Sequence, residues 1–176
     1  MKFGWKLFLG IAAFYAFVTA VYAEKDESSR NRWGTGDARI SSIELLNTVD
    51  EQVQVVDSSA PVKLRFQISA HTRLESPILR AQITRLNGDV IWATSTQRGT
   101  NTMRVLDGAA TATLNIDSIQ LLEGTYYVSA AITDSTGSTE FDHCQNWLRF
   151  NVHKTNMFDD GIVAINSTWN LERHHK

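Results

Sequence analysis

The chain has 176 residues, 43% of them apolar and 20% charged, which is enough for one domain with a substantial core and would be strained by two. Its formal net charge of -2 excludes a general basic footprint, and with it nucleic acid as the main partner. The single cysteine, Cys144, excludes an internal disulfide and a multi-cysteine zinc site.

Met1 to Lys6 carry two lysines and no acid, and Leu7 to Ala20 are nearly all apolar. Val21-Tyr22-Ala23 then places small or modest residues where a signal peptidase cuts. Residues 1–23 are expected to form an apolar helix, either a secretory signal peptide or an uncleaved anchor, since the run is slightly short of the roughly 20 residues that span a bilayer. Glu24 to Asn31 are charged and serine-containing without apolar rhythm, and read as a linker.

The domain is expected over residues 32–170. Arg32 to Ile40 brings two glycines, and Ile40, Ile43 and Leu45 then predict a first strand with an irregularity near Ser41-Ser42. Val53 to Val56 is a short second strand. Val62 to Ser69 alternates cleanly, with Val62, Leu64, Phe66 and Ile68 toward a core and Lys63, Arg65, Gln67 and Ser69 away from it. Ser76 to Leu86 and Val90 to Thr94 flank the turn signal Asn87-Gly88-Asp89, so a hairpin is expected there, its register leaving the facing of Trp92 open. Arg98 to Gly108 reads as a loop, and Ala110 to Ile116 alternates again.

Leu121 to Ile132 is the most informative stretch. A leucine, then Gly124, then Tyr126 and an alternating run predict the corner of a β-sandwich, the tyrosine hydroxyl bonding back to backbone upstream. Tyr126, Val128, Ala130 and Ile132 then face inward, leaving Tyr127 outward. After the turn Asp134 to Ser138, Asn146 to Val152 alternates with Leu148, Phe150 and Val152 inward, so that Trp147 and Arg149 share the outer face. Gly161 to Ile165 is a last apolar run, and residues 171–176 a polar tail. Short strands at about ten-residue spacing predict an all-β, immunoglobulin-like antiparallel β-sandwich behind the N-terminal helix.

Catalytic motifs are absent: no phosphate-binding loop, no nucleophile elbow, no H-E-x-x-H, and five histidines without ligand spacing. Asp142-His143-Cys144 places neighbours on opposite faces of a strand, which keeps Cys144 from using His143 as a base. Glu140-Phe141-Asp142 reads as a solvated loop face more readily than as a calcium site. No enzyme activity, metal or cofactor is expected. Sugars need an exposed aromatic ring for stacking with planar or charged donors beside it, and Tyr127, Trp147 and Arg149 are the candidates. Trp147 has an alternative role, covering a sheet edge or a dimer contact.

Four pieces in order are similar to a known family: Arg32 to Ile40; Leu121 to Ile132 with Gly124 and Tyr126; Phe141-Asp142 ahead of Trp147 to Val152; and Gly161-Ile162-Val163 with Trp169. Together they resemble the C-terminal domain of Wzt-type ATP-binding proteins of ABC exporters for O-antigen and related polysaccharides. The resemblance covers roughly Arg32 to Trp169. It implies an immunoglobulin-like domain that binds the exported glycan, often its non-reducing end, and a homodimer exchanging the C-terminal strand, here Gly161 to Ile165. It also implies exporter components as partners and a link to lipopolysaccharide biosynthesis. Such proteins carry a nucleotide-binding domain and work on the cytoplasmic face of the inner membrane, whereas the signal-like start of this chain implies a free-standing periplasmic or membrane-anchored copy; the alternative is a remnant of a longer ATPase on the cytoplasmic face. The alternative function is a structural or adhesive immunoglobulin-like module that meets a protein.

Overall fold

The computed structural model describes residues 31–98, 102–153, 161–165 and 167–170. The expectations for residues 1–23, for most of the linker and for residues 171–176 lie outside them. Among the described residues nine strands run in chain order: β1 (Asn31–Trp33), β2 (Ala38–Leu46), β3 (Val55–Asp57), β4 (Val62–Glu75), β5 (Ile78–Thr84), β6 (Val90–Ser95), β7 (Val105–Ile116), β8 (Gly124–Thr133) and β9 (Glu140–His153). One sheet has the order β1-β9-β8-β5-β6, with β3 also paired to β9, and the other has the order β2-β4-β7.

The two sheets close on the inward set of each strand. In β4 the alternation of Val62, Leu64, Phe66 and Ile68 is realised, all four being buried, because side chains with period two put every second residue on one face. Across the gap they meet Tyr126, Val128, Ala130 and Ile132 of β8 and Phe150 of β9 in one core. The Tyr126 hydroxyl donates to the Leu122 carbonyl at 2.9 Å, which is the corner that the Leu-Gly-Tyr spacing predicts. The register of β2 on β4 shifts between Ile40 and Ser42, where an irregularity was expected.

Several boundaries differ from the sequence reading. The linker is expected to reach Asn31, yet Asn31 opens β1, a three-residue strand defined by pairing with residues 143–145. Gly34 has φ 136° and lies where a Cβ would come within 2.5 Å of the Phe141 carbonyl oxygen, so only glycine lets the β1–β2 connection press against β9. The short strand β3 pairs with β9 in parallel, a departure from a wholly antiparallel sandwich. β4 runs on to Glu75, and β7 begins at Val105 inside the expected loop, because the two strands extend each other's ladder to Glu75↔Val105. β9 starts at Glu140, six residues before the alternating run. Asp142 therefore belongs to a strand, and at 3% exposure it is a core carboxylate, not part of a solvated loop.

The sandwich is closed on one flank and open on the other. Beside β1 and β2, Arg32 joins Asp142 by Nε at 2.8 Å and Nη2 at 2.7 Å, and Asp142 also accepts from the Ile40 amide at 2.7 Å, so one carboxylate links both sheets. On the opposite flank, edge strands β6 and β7 leave a seam where Ala112, Leu114 and Ile116 are only half-buried.

Candidate functional site

Cross-strand partners stand on the same face of a sheet, so the register assigns the outer face of the larger sheet row by row. The first row runs Trp33, His143, Ala131, Arg80 and Ser95 across β1, β9, β8, β5 and β6. Two residues on along each strand, Ser129, Gln82 and Ala93 form a second row. A third joins Arg149, Tyr127 and Thr84.

The first row carries an aromatic platform. Trp33 stacks on His143 with ring centroids 3.9 Å apart and 26° between planes, and 44% of Trp33 remains exposed. Glu140 holds both rings: its carboxylate accepts from Trp33 Nε1 and lies 3.1 Å from His143 Nδ1. Burial acts to raise the pKa of Glu140. The bonds from His143 and Trp33, with the positive fields of His143 and Arg80, prevail and hold it below the ordinary value. The result is an indole with its edge nitrogen fixed and its ring partly open to solvent. Ala131 then gives a low step before the exposed guanidinium of Arg80. An open ring beside planar donors is the surface that a sugar's C–H face and hydroxyls match.

Of the three residues singled out from the sequence, Tyr127 and Arg149 are brought together and Trp147 is set apart. Arg149 is exposed on the outer face, paired in register with Tyr127. Tyr127 points outward as expected but is buried to 7%. The turn after β5 crosses above it: the Leu86 carbonyl accepts from Asn146 Nδ2 on β9 at 3.2 Å, and a Cβ on Gly88 would lie 3.1 Å from Gln145 Nε2. Trp147 departs from the simple alternation because Asn146, at φ 52°, interrupts the strand. That interruption is fixed by a buried network. Thr84 Oγ1 donates to Asn146 Oδ1 at 2.8 Å, and the Asn146 amide donates to Ser129 Oγ at 2.8 Å. Trp147 is half-buried against the core, 5.3 Å from the Arg32 guanidinium, at the closed flank and away from Arg149.

Trp33, Arg80 and His143 were not singled out as site residues. Trp33 lies in the stretch that carries the family resemblance, but its link to His143 spans 110 positions and shows in no local pattern. Asp142 and Cys144 face inward and His143 outward, as alternation requires. Burial, and then the Asp142 carboxylate, push the Cys144 thiol up to about 12. Among the described residues no group of three His, Cys, Asp or Glu is arranged to hold a metal ion.

A family model described as the Wzt C-terminal domain matches residues 29–165. The chain belongs to this family. The Wzt C-terminal domain family is linked to polysaccharide-export ABC transporters. A crystal structure of the C-terminal domain of Wzt matches with a TM-score of 0.72 at 16% identity, covering 81% of this chain and 89% of that one, which is a likeness of fold. A CARDB domain from Pyrococcus furiosus, solved in solution, matches at a TM-score of 0.40 and 14% identity, covering 66% of this chain and 94% of that one, too distant to bear on the site. No curated protein sequence matches the chain.

Proposed function

We propose that this domain binds a bacterial polysaccharide without catalysis, in the service of its export, and that the outer face of the larger sheet is the binding surface. The observation that carries the reading is the Trp33 ring, fixed by His143 and Glu140 yet half open, in one row with Arg80. A rigid aromatic surface loses little entropy on stacking against a sugar, and guanidinium groups donate in plane to hydroxyl pairs.

Roles follow for the other candidates. Arg149 is a direct donor at the far end of the face. Tyr127 supports the turn above it, and Trp147 holds the Arg32 flank on which Trp33 depends. The domain acts as a homodimer in which Gly161 to Ile165 is exchanged. In the single chain this segment already lies against the corner: the Leu122 amide donates to the Ile162 carbonyl at 2.9 Å, and the Ala164 amide to the Gln120 carbonyl at 2.8 Å. A short apolar segment held by so few backbone bonds passes to a second copy at low cost.

Calorimetric titration with the polysaccharide of the source cell tests the site. The expected dissociation constant is millimolar to micromolar, or about 4 to 8 kcal/mol. Trp33→Ala and Arg149→Ala are each expected to weaken binding at least tenfold, with Trp147→Ala acting more mildly through Arg32. Saturable binding that is indifferent to Trp33→Ala sinks the site assignment. Capture of a protein partner with no glycan signal at all would favour an adhesive module and sink the function.

A further inference from the structure

The seam between β6 and β7 contains a cavity of about 330 Å³ that the outer-face reading does not use. It reaches the core residues Phe66, Leu79 and Ala81, and its other wall is Ala112 and Leu114 of the edge strand β7. None of the residues around it is acidic. Arg98 stands at its rim, exposed and without an ion pair or hydrogen bond among the described residues. Thr94, Ser95 and Thr96 also border it.

We propose that this cavity takes the hydrocarbon chain of a small anionic amphiphile, whose charged head is held by Arg98. The walls are inward-facing side chains of two sheets and offer hydrocarbon. A sugar laid between them would leave hydroxyls unpaired at a cost of a few kcal/mol, and a peptide strand would pair with the free edge of β6 or β7 and not fill the gap between the side chains. An alkyl chain needs no partner there, and the volume falls at the lower end of the range of small-molecule sites, about 300 to 1,000 Å³. The charge at the rim selects the head: a carboxylate or phosphate meets a guanidinium unopposed among the described residues. A second cavity of the seam, about 240 Å³ around Trp92, is bordered by Val163, so the described C-terminal residues sit at that end and none of them lines the Arg98 end. The proposal stands apart from the glycan reading, since it uses the space between the sheets.

The test is titration of the purified full chain with decanoate, with butyrate, and with an uncharged decyl polyethylene glycol ether. Decanoate is expected to bind saturably at one per chain, and butyrate at least tenfold more weakly. Arg98→Gln is expected to weaken decanoate at least tenfold while leaving the uncharged ether unchanged. Ala112→Leu fills the cavity from the edge strand and is expected to abolish both decyl ligands, with Ala81→Val as a second filling variant should the first fail to fold. Failure of decanoate to saturate overturns the proposal. So does undiminished uptake by a folded filling variant, equal affinity in Arg98→Gln, or a dimer whose second copy shields β6 and β7 from amide exchange and excludes decanoate.

Discussion

The guanidinium of Arg32 meets the carboxylate of Asp142 at two points, 2.8 and 2.7 Å, across 110 positions of sequence. Asp142 is 4% exposed at its side chain and Arg32 25%, so most of the carboxylate's desolvation is met by the pair and by the Ile40 amide. Removing one partner of a buried pair strands the other charge, which costs more than the pair itself contributes. Asp142→Ala is therefore expected to destabilise the fold by about 3 kcal/mol in urea unfolding. The double replacement Arg32→Met with Asp142→Leu is expected to lose less than Asp142→Ala alone. A double variant at least as unstable as the single one contradicts this reading.

The Tyr126 hydroxyl is the polar tip of a ring otherwise buried in the core, and its pKa is raised by that burial. Tyr126→Phe keeps the ring and its contact with Phe150, but leaves the Leu122 carbonyl without its donor. A loss of about 1 to 2 kcal/mol is expected, read as a lowered urea midpoint at constant slope. No change in midpoint shows that water replaces the hydroxyl.

Glu140 supplies a pH dependence. Its folded pKa is depressed, so its contribution is fully present above the unfolded value of about 4.3 and is lost as pH falls through the lower folded value. Thermal midpoints measured from pH 6 to pH 3 are expected to fall more steeply for the natural chain than for Glu140→Gln, with the difference confined to the region below about pH 4.3. Parallel curves refute this. Asp50 and Asp134 are also depressed, so both proteins lose stability in acid and only their difference reports Glu140.

Cys144 is fully buried with its thiol pushed up to about 12, first by burial and then by Asp142. A thiol so placed is almost entirely protonated near pH 8 and out of reach. The folded protein is expected not to react with a chromogenic disulfide reagent at pH 8, and to react with one equivalent after addition of guanidinium chloride. Prompt reaction without denaturant shows that β9 opens locally.

What was legible in the sequence is what local alternation records. Val62 to Ser69 shows its two faces because every second residue goes to the core, and Gly124 with Tyr126 marks the corner because that turn has a fixed spacing. The parts that were not legible depend on partners far away. Asn31 to Trp33 becomes a strand only because residues 143–145 offer it an edge. Trp147 leaves the expected face because Asn146 adopts a left-handed conformation held by Thr84 and Ser129, and asparagine in a run of alternating residues does not announce this. Tyr127 faces outward as its parity predicts, yet its exposure is set by a turn that crosses above it. The site suffered most, since the stacking of Trp33 on His143 is a product of sheet order.

The clasp between Arg32 and Asp142 and the seam at β6 and β7 make the sandwich resemble a book bound along one spine. Its leaves are expected to part by pivoting about the clasp, with displacement small at β2 and growing toward β7. Amides of β7 are expected to exchange with solvent well ahead of those of β2, although both strands flank β4 in the same sheet. Such a hinge sets where a guest enters: whatever comes between the leaves arrives from the fore-edge, and the reading surface on the outside of the cover is left undisturbed while it does.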